Sequence, residues 1–271
     1  MNVLEVKGFR IPLVGLGTWT LRGRECARLV EQAIRSGYRH IDSAQMYGNE
    51  REVGEGVRAS GLRHEVMVTT KIQPTNLAPR DVEKSTRESL RALGLDAIDL
   101  LLIHWPNPGV PLADSLGAMT KLKHAGVARQ IGVSNFTVAL LEEATRIAPD
   151  IVCNQVECHP FLDQDKLLAA CRRAGVAMVA YSPIARGSAA GNKVLERIGA
   201  AHGKSAAQIS LRYLTQQGIV VIPRTSKVER LKENIAIFDF ELSDAEMREI
   251  HGLASRSGRI VDWNWSPQWD E

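Results

Sequence analysis

Apolar residues in this chain gather into eight short runs rich in Val, Ile and Leu, at residues 13 to 17, 38 to 42, 66 to 71, 98 to 104, 128 to 133, 151 to 156, 176 to 181 and 219 to 222. Short runs that are apolar throughout read as strands buried on both faces. Between them the period becomes helical. Cys26, Leu29, Val30, Ala33 and Ile34 share one face, as do Leu112, Leu116, Met119 and Leu122, while Arg, Glu and Lys occupy the other. Val138, Leu141, Ala144 and Ala148 form a third such stripe, and Leu167, Leu168, Cys171 and Ala174 a fourth, which Gly175 stops. Alternation of buried strand and amphipathic helix predicts parallel pairing with crossover helices, and eight strands favour closure into a (β/α)8 TIM barrel. A doubly wound open sheet makes the same local pattern. Its dinucleotide fingerprint, however, needs a third glycine after Gly15 and Gly17, where this chain has Thr20.

Residues 3 to 12, with Lys7 and Gly8 between two short runs, predict a β-hairpin ahead of the first barrel strand, set to plug the barrel's bottom. Two helices are expected before the last strand and two after it, near 227 to 235 and 243 to 252. The tail from 255 to 271 is aperiodic and carries Trp263, Trp265 and Trp269. At 271 residues the whole chain fits one barrel domain, since such barrels run to roughly 250 residues.

Composition narrows the function. A formal charge of +3, with the cations dispersed, argues against a nucleic-acid partner. Cys26, Cys153, Cys158 and Cys171 follow no disulfide-framework spacing and are expected to be reduced core residues. No apolar run nears the roughly 20 residues of a membrane span, and the start of the chain has no basic segment followed by an apolar core. A cytoplasmic enzyme is the expectation.

The candidate chemistry lies at the ends of three consecutive strand runs. Asp42 ends the second, Lys71 the third and His104 the fourth, and Tyr47 follows Asp42 in the next loop. In a (β/α)8 barrel those ends open on one face, where active sites form. A phenol with an ordinary pKa near 10 is a poor acid at neutral pH, and a neighbouring ammonium lowers that value. Asp42 would hold the ammonium, and His104 would hydrogen-bond a carbonyl oxygen and orient it toward the phenol. Such a set suits protonation of an oxygen that gains negative charge. Singly, each residue reads as structural: a buried Asp42 and Lys71 ion pair, with Tyr47 and His104 in loops. Together, at successive strand ends, they favour function.

The segments that carry these residues have the wording of a known family. Residues 37 to 50 (GYRHIDSAQMYGNE), 102 to 106 (LIHWP), 131 to 136 (IGVSNF), 154 to 160 (NQVECHP), 181 to 183 (YSP) and 222 to 225 (IPRT) resemble, in order and over nearly the whole chain, the aldo-keto reductase superfamily. Within it the chain looks most like the short bacterial 2,5-diketo-D-gluconate reductases, including the ending at residues 266 to 270. The resemblance implies an ordered reaction in which a nicotinamide cofactor binds first and hydride passes to an aldehyde or ketone, in a monomer. Tyr47 would be the general acid, Lys71 and Asp42 its tuning pair, and His104 the orienting donor. Ser43 stands where the family usually has threonine, and keeps the hydroxyl.

By the same resemblance Ser134, Asn135 and Gln155 hold the nicotinamide carboxamide, Tyr181 stacks on its ring, and Thr18 and Ser182 border the cofactor. Arg224, Thr225 and Arg230 match positions that grip the 2'-phosphate of NADPH, Ser226 is a further cofactor-binding position, and Glu233 and Asn234 match those near adenine. Arg224 replaces the family's commonest lysine, retaining charge but not geometry, so NADPH is expected to be preferred with NADH weaker. Without the resemblance, Ser134 and Asn135 would read as helix caps, Tyr181 as core and residues 224 to 230 as a solvated helix start. Trp19, Trp105 and Phe136 fall on three loops of the open end and are expected to wall a pocket for a small carbonyl compound, with Trp263 and Trp265 closing over them or simply packing.

Two other classes compete. A metal-dependent barrel hydrolase needs converging ligands, but no His-x-His pair occurs, and Cys158 and His159 would point opposite ways on a strand, so no metal is expected. A regulatory protein that keeps the fold and the cofactor pocket without turnover is the other, since fold does not guarantee activity.

Overall fold

The structure, a computed structural model, describes residues 2–270. An antiparallel hairpin, β1 (Val3–Val6) and β2 (Phe9–Pro12), turns at Lys7 and Gly8, whose φ angles of 49° and 76° are both positive. Positive φ at both central residues gives the primed turn that matches strand twist. Eight parallel strands follow: β3 (Leu16–Gly17), β4 (His40–Asp42), β5 (Met67–Ile72), β6 (Ile98–Ile103), β7 (Ala128–Ser134), β8 (Cys153–Glu157), β9 (Ala177–Tyr181) and β10 (Val220–Val221), paired in chain order. Single bridges from Val14 to Val221 and from Gly17 to Arg224 join the first strand to the last and complete the (β/α)8 barrel.

The glycines at 15 and 17 serve that closure. The Gly15 N–H donates to Val221 O at 2.9 Å and the Gly17 N–H to Pro223 O at 3.1 Å. A Cβ on Gly15 would lie 2.7 Å from His40 Nδ1, and one on Gly17 2.8 Å from Ile222 O, so any side chain would part the seam.

Helices α1 (Gly23–Arg35), α2 (Glu50–Ala59), α3 (Pro79–Leu93), α4 (Leu112–His124), α5 (Val138–Ile147) and α6 (Asp165–Arg173) lie between successive strands. As anticipated, α7 (Lys193–His202) and α8 (Ala206–Gln216) precede β10, while α9 (Val228–Ile235) and α10 (Asp244–His251) follow it. Serine capping boxes, Ser205 with Gln208 and Ser243 with Glu246, start α8 and α10. The α1 stripe Cys26, Leu29, Val30, Ala33 and Ile34 is buried as its periodicity requires. The inner face of the barrel packs Met67, Leu100, Leu102, Val152 and Val179 with Ile11 of the hairpin, and Lys7 Nζ donates to Pro149 O and Ile151 O below β8. The hairpin therefore closes the bottom, which leaves the other end open for chemistry.

Strand boundaries differ from the apolar runs where a side chain has other work. The run at 38 to 42 yields strand only from His40, because Tyr38 turns outward and its hydroxyl donates to Leu231 O of α9 at 3.0 Å. All four cysteines are free and buried.

Candidate active site

Each candidate residue sits at the C-terminal end of a strand or just past it. Asp42 is the last residue of β4, Lys71 the penultimate residue of β5, and His104 the first beyond β6. Tyr47 closes a short 3₁₀ turn, Gln45–Tyr47, after β4. Lys71 is fully buried and Asp42 is 1% exposed, an arrangement that must recover a large desolvation penalty. Every donor of the ammonium is used. Lys71 Nζ donates to Asp42 Oδ1 at 2.6 Å, to Ser43 O at 2.8 Å and to Tyr47 Oη at 3.2 Å. The other carboxylate oxygen of Asp42 accepts from Gln155 Nε2 at 2.7 Å.

The third of those bonds matters most. Because the Tyr47 oxygen accepts from the ammonium, its own hydrogen remains free for another acceptor. The ammonium also lies 4.8 Å from the centre of the Tyr47 ring. Burial pushes the Tyr47 pKa up, and the opposing pull of Lys71 does not bring it back to the ordinary value. This corrects the expectation of a lowered phenol pKa: desolvation outweighs the cation in the free protein. The phenol is fully protonated at neutral pH, and the ammonium acts on the charge that forms when the proton leaves. Burial would discharge Lys71, but Asp42 and Tyr47 together hold its pKa above the ordinary lysine value.

His104 packs edge-on to Tyr47, with ring centroids 5.5 Å apart at 78°. Its backbone is fixed on both sides, its N–H donating to Ile72 O and its carbonyl accepting from Asn135 Nδ2. Burial first, then the charge on Lys71, holds its pKa well below 6.5, so the imidazole is neutral. Its Nδ1 is buried with no hydrogen-bond partner among the described residues.

The polar residues expected to face a nicotinamide are adjacent but cross-linked. Ser134 Oγ donates to Gln155 O at 2.7 Å, Asn135 Nδ2 also donates to Ser134 Oγ at 3.1 Å, and Tyr181 Oη donates to Asn135 Oδ1 at 2.8 Å. Asn135 and Ser182 hold φ angles of 61° and 51°, an uncommon conformation for residues with a Cβ. Thr18 Oγ1 donates to Asp42 O at 2.8 Å, so it supports β4 from beneath. Asn49, which the residue pattern did not single out, is buried and ties this layer together: its amide donates to Thr18 O and Leu21 O and accepts from Ser43 Oγ.

The basic segment after β10 is a loop rather than the first turn of a helix, and α9 begins only at Val228. Thr225 is buried and its hydroxyl shapes that loop by accepting from the Lys227 N–H at 3.0 Å. Arg224, Ser226 and Arg230 are exposed. Arg224 Nε donates weakly to Trp19 O at 3.4 Å, and among the described residues neither Arg224 nor Arg230 has an ion pair. The α9 N-terminus has no side-chain cap, which leaves its amides available to an anion. Glu233 accepts from Ser205 Oγ, and Asn234 is buried against Tyr38.

Of the three expected pocket residues, Phe136 is fully buried in the core and lines no cleft, because its loop turns inward where Asn154 Nδ2 holds its carbonyl. Trp19 is 47% exposed, with the Arg186 guanidinium 5.0 Å above its ring. Trp105 is buried beneath the tail, meeting Trp265 edge-on at 5.0 Å and Trp269 at 6.0 Å. A buried carboxylate pins that tail. Glu157, the last residue of β8, accepts from the Ile260 and Val261 N–H groups at 2.7 and 2.8 Å and lies 2.9 Å from His159 Nε2. His159 is thus engaged by a carboxylate.

A buried carboxylate and ammonium lie against a phenol, beside a neutral imidazole, at the mouth of a (β/α)8 barrel, the face on which the active sites of such barrels form. The model of the Aldo/keto reductase family matches residues 13–255. The chain belongs to that family. It is 36% identical over 265 residues to "Methylglyoxal reductase DkgB" of Escherichia coli O157:H7, covering 96% of this chain and 99% of the relative. With "Glyoxal reductase" of Bacillus subtilis (strain 168) it shares 41% identity over 249 residues, covering 91% and 90%. A crystal structure provisionally named a 2,5-diketo-D-gluconic acid reductase B superposes with a TM-score of 0.98 at 44% identity, covering 100% of this chain and 98% of that one.

Proposed function

We propose that this protein is an NADPH-dependent reductase of aldehydes and ketones, acting on small dicarbonyl compounds of the kind its relatives' names include, with Tyr47 as the proton donor. One observation carries the assignment: Lys71 Nζ donates to Tyr47 Oη at 3.2 Å, so the phenol hydrogen is left unused at the barrel mouth. A nicotinamide, when bound, supplies the hydride. The chain's own groups supply the rest.

Neutral His104 hydrogen-bonds the substrate carbonyl and turns its oxygen toward Tyr47. As negative charge grows on that oxygen, Tyr47 Oη passes its proton to it. The phenolate left behind is held by the ammonium of Lys71, whose charge Asp42 secures. Burial of these groups strengthens each interaction relative to water.

The residues fit a dinucleotide with a 2'-phosphate. Exposed Arg224 and Arg230, without carboxylate partners among the described residues and next to the uncapped start of α9, suit an anion. Asn135 Oδ1 has one lone pair left after Tyr181, and the half-buried Tyr181 ring offers an aromatic face. The test is steady-state oxidation of NADPH and NADH by the purified protein with methylglyoxal, 2,5-diketo-D-gluconate and an aromatic aldehyde. Turnover with NADPH faster than with NADH is expected. Cofactor binding with no turnover of any carbonyl would overturn the assignment in favour of a regulatory protein on the same fold.

A further inference from the structure

An open cleft of about 330 Å³ is lined by Met46, by residues 73 to 75 after β5, by residues 106 to 108 after β6 and by Trp265 of the tail. Met46 adjoins Tyr47, Gln73 lies two positions past Lys71, and Pro106 two past His104. The cleft therefore lies among the loops that follow β4, β5 and β6, the strands whose ends carry the reacting groups. Its walls are Met46, Trp265 and three prolines, with Met46 47% and Trp265 46% exposed. None of the described residues that line it is charged.

Its polar groups are few and partly committed. The Asn107 amide is consumed, donating to Pro74 O of the neighbouring loop at 2.9 Å and accepting from the Gly109 N–H of its own at 2.9 Å. That leaves the Gln73 side chain, the Thr75 hydroxyl and the Trp265 indole N–H, all neutral, to bond a ligand. Among the described residues, no cation of the neighbouring loops lines the cleft. Lys71 spends its donors on Asp42, Ser43 and Tyr47. Arg259 lies 3.7 Å over the Trp269 ring, faced by Glu157, Asp262 and Asp270, and its buried Nη1 has no hydrogen-bond partner among the described residues, but it does not line the cleft. Arg22, near Gly48, is faced by Glu52, and Arg186 lies over Trp19, in the loops after β9 and β3.

Resting on the reductase assignment above, we propose that this cleft selects uncharged carbonyl compounds, with an apolar or aromatic part set against Met46 and Trp265, and disfavours carbonyl compounds that carry a carboxylate. An ionised carboxylate set against these walls gives up part of its water and meets no cation among the described lining residues, whereas an uncharged group loses little. Neutral donors recover only part of that loss. Between the substrates named for its relatives, the cleft thus favours a neutral dicarbonyl over a sugar acid.

Matched substrates test this. With NADPH, kcat/KM is measured for methyl 4-formylbenzoate and for 4-formylbenzoate, which differ in a charge on the same ring, and for methylglyoxal against 2,5-diketo-D-gluconate. The neutral member of each pair is expected to be favoured by about tenfold or more. Thr75 is exposed, so Thr75→Arg can be made without disturbing the core, and it should shrink the ester-to-acid ratio by supplying the missing cation. An acid reduced as well as or better than its neutral partner overturns the proposal, and so does a ratio that Thr75→Arg leaves unmoved. Failure of all four compounds to react would instead refute the reductase assignment beneath it.

Discussion

Replacing Lys71 by Met tests the ammonium's role, because it keeps the aliphatic stem and removes only the charge beside the phenol. Lys71 Nζ is 3.2 Å from Tyr47 Oη. At that separation an ammonium and a full phenolate attract by about 5 kcal/mol at an effective dielectric of ~20. A transition state with roughly half the phenolate charge loses about 2 to 3 kcal/mol, or ~100-fold in kcat, and a later one loses up to ~10⁴-fold. The same change strands Asp42, 1% exposed, without its counter-charge, at a cost of about 3 to 5 kcal/mol in stability. Asp42→Asn in the same chain removes that stranded charge. The double variant should regain thermal stability while turnover stays low, a separation no purely structural ion pair would produce. Single-turnover oxidation of NADPH in stopped flow, read beside thermal unfolding, measures both. A double variant that turns over within about tenfold of the parent would refute the role given to Lys71.

Replacing both Arg224 and Arg230 by Ala should weaken NADPH binding by about 10- to 100-fold and NADH by less than about twofold, measured by fluorescence titration. Equal losses would reject the phosphate site. Glu157→Ala orphans two tail N–H groups and the His159 ring, and should cost about 2 to 4 kcal/mol in thermal unfolding and speed proteolysis after residue 255. An unchanged melting temperature would refute it. The same carboxylate sets a pH dependence. Burial pushes the Glu157 pKa up, but its bonds from His159, Ile260 and Val261 bring it below the usual 4.5. With a folded pKa below the unfolded one, its contribution is complete above about 4.5 and is lost as pH falls through the folded value. Acid proteolysis of the tail should therefore accelerate below that range in the parent, and the Glu157→Ala variant should not show the change.

The barrel was legible because its signals are local and redundant. Eight apolar runs, helical stripes between them and the Lys7 and Gly8 turn all specify the same architecture, and a buried parallel sheet needs each of them. Asp42, Lys71 and His104 could be grouped from sequence because strand ends share one face of a barrel, whatever their separation along the chain. What sequence hid depends on the direction of a side chain in a loop. Phe136 was expected at the mouth, but its loop folds inward and buries it. Thr225, matched to a phosphate-gripping position by resemblance, has a hydroxyl that shapes the loop ahead of α9, a role no motif states. Asn49 and Glu157 went unnoticed because single polar residues carry no period, and only contacts reveal that one braces the Asp42 layer and the other pins the tail. The net direction of the Tyr47 pKa was also hidden, since a motif names its charged neighbour but not how much water is excluded.

The central claim is that Tyr47 gives a proton to the substrate and does not hold the cofactor, and Tyr47→Phe tests it most directly. The variant removes one oxygen and preserves the ring that packs on His104 and Lys71. kcat with methylglyoxal should fall by about 10²- to 10⁴-fold while NADPH affinity stays within about twofold. Turnover within a few-fold of the parent would contradict the account, as would loss of NADPH binding in step with activity.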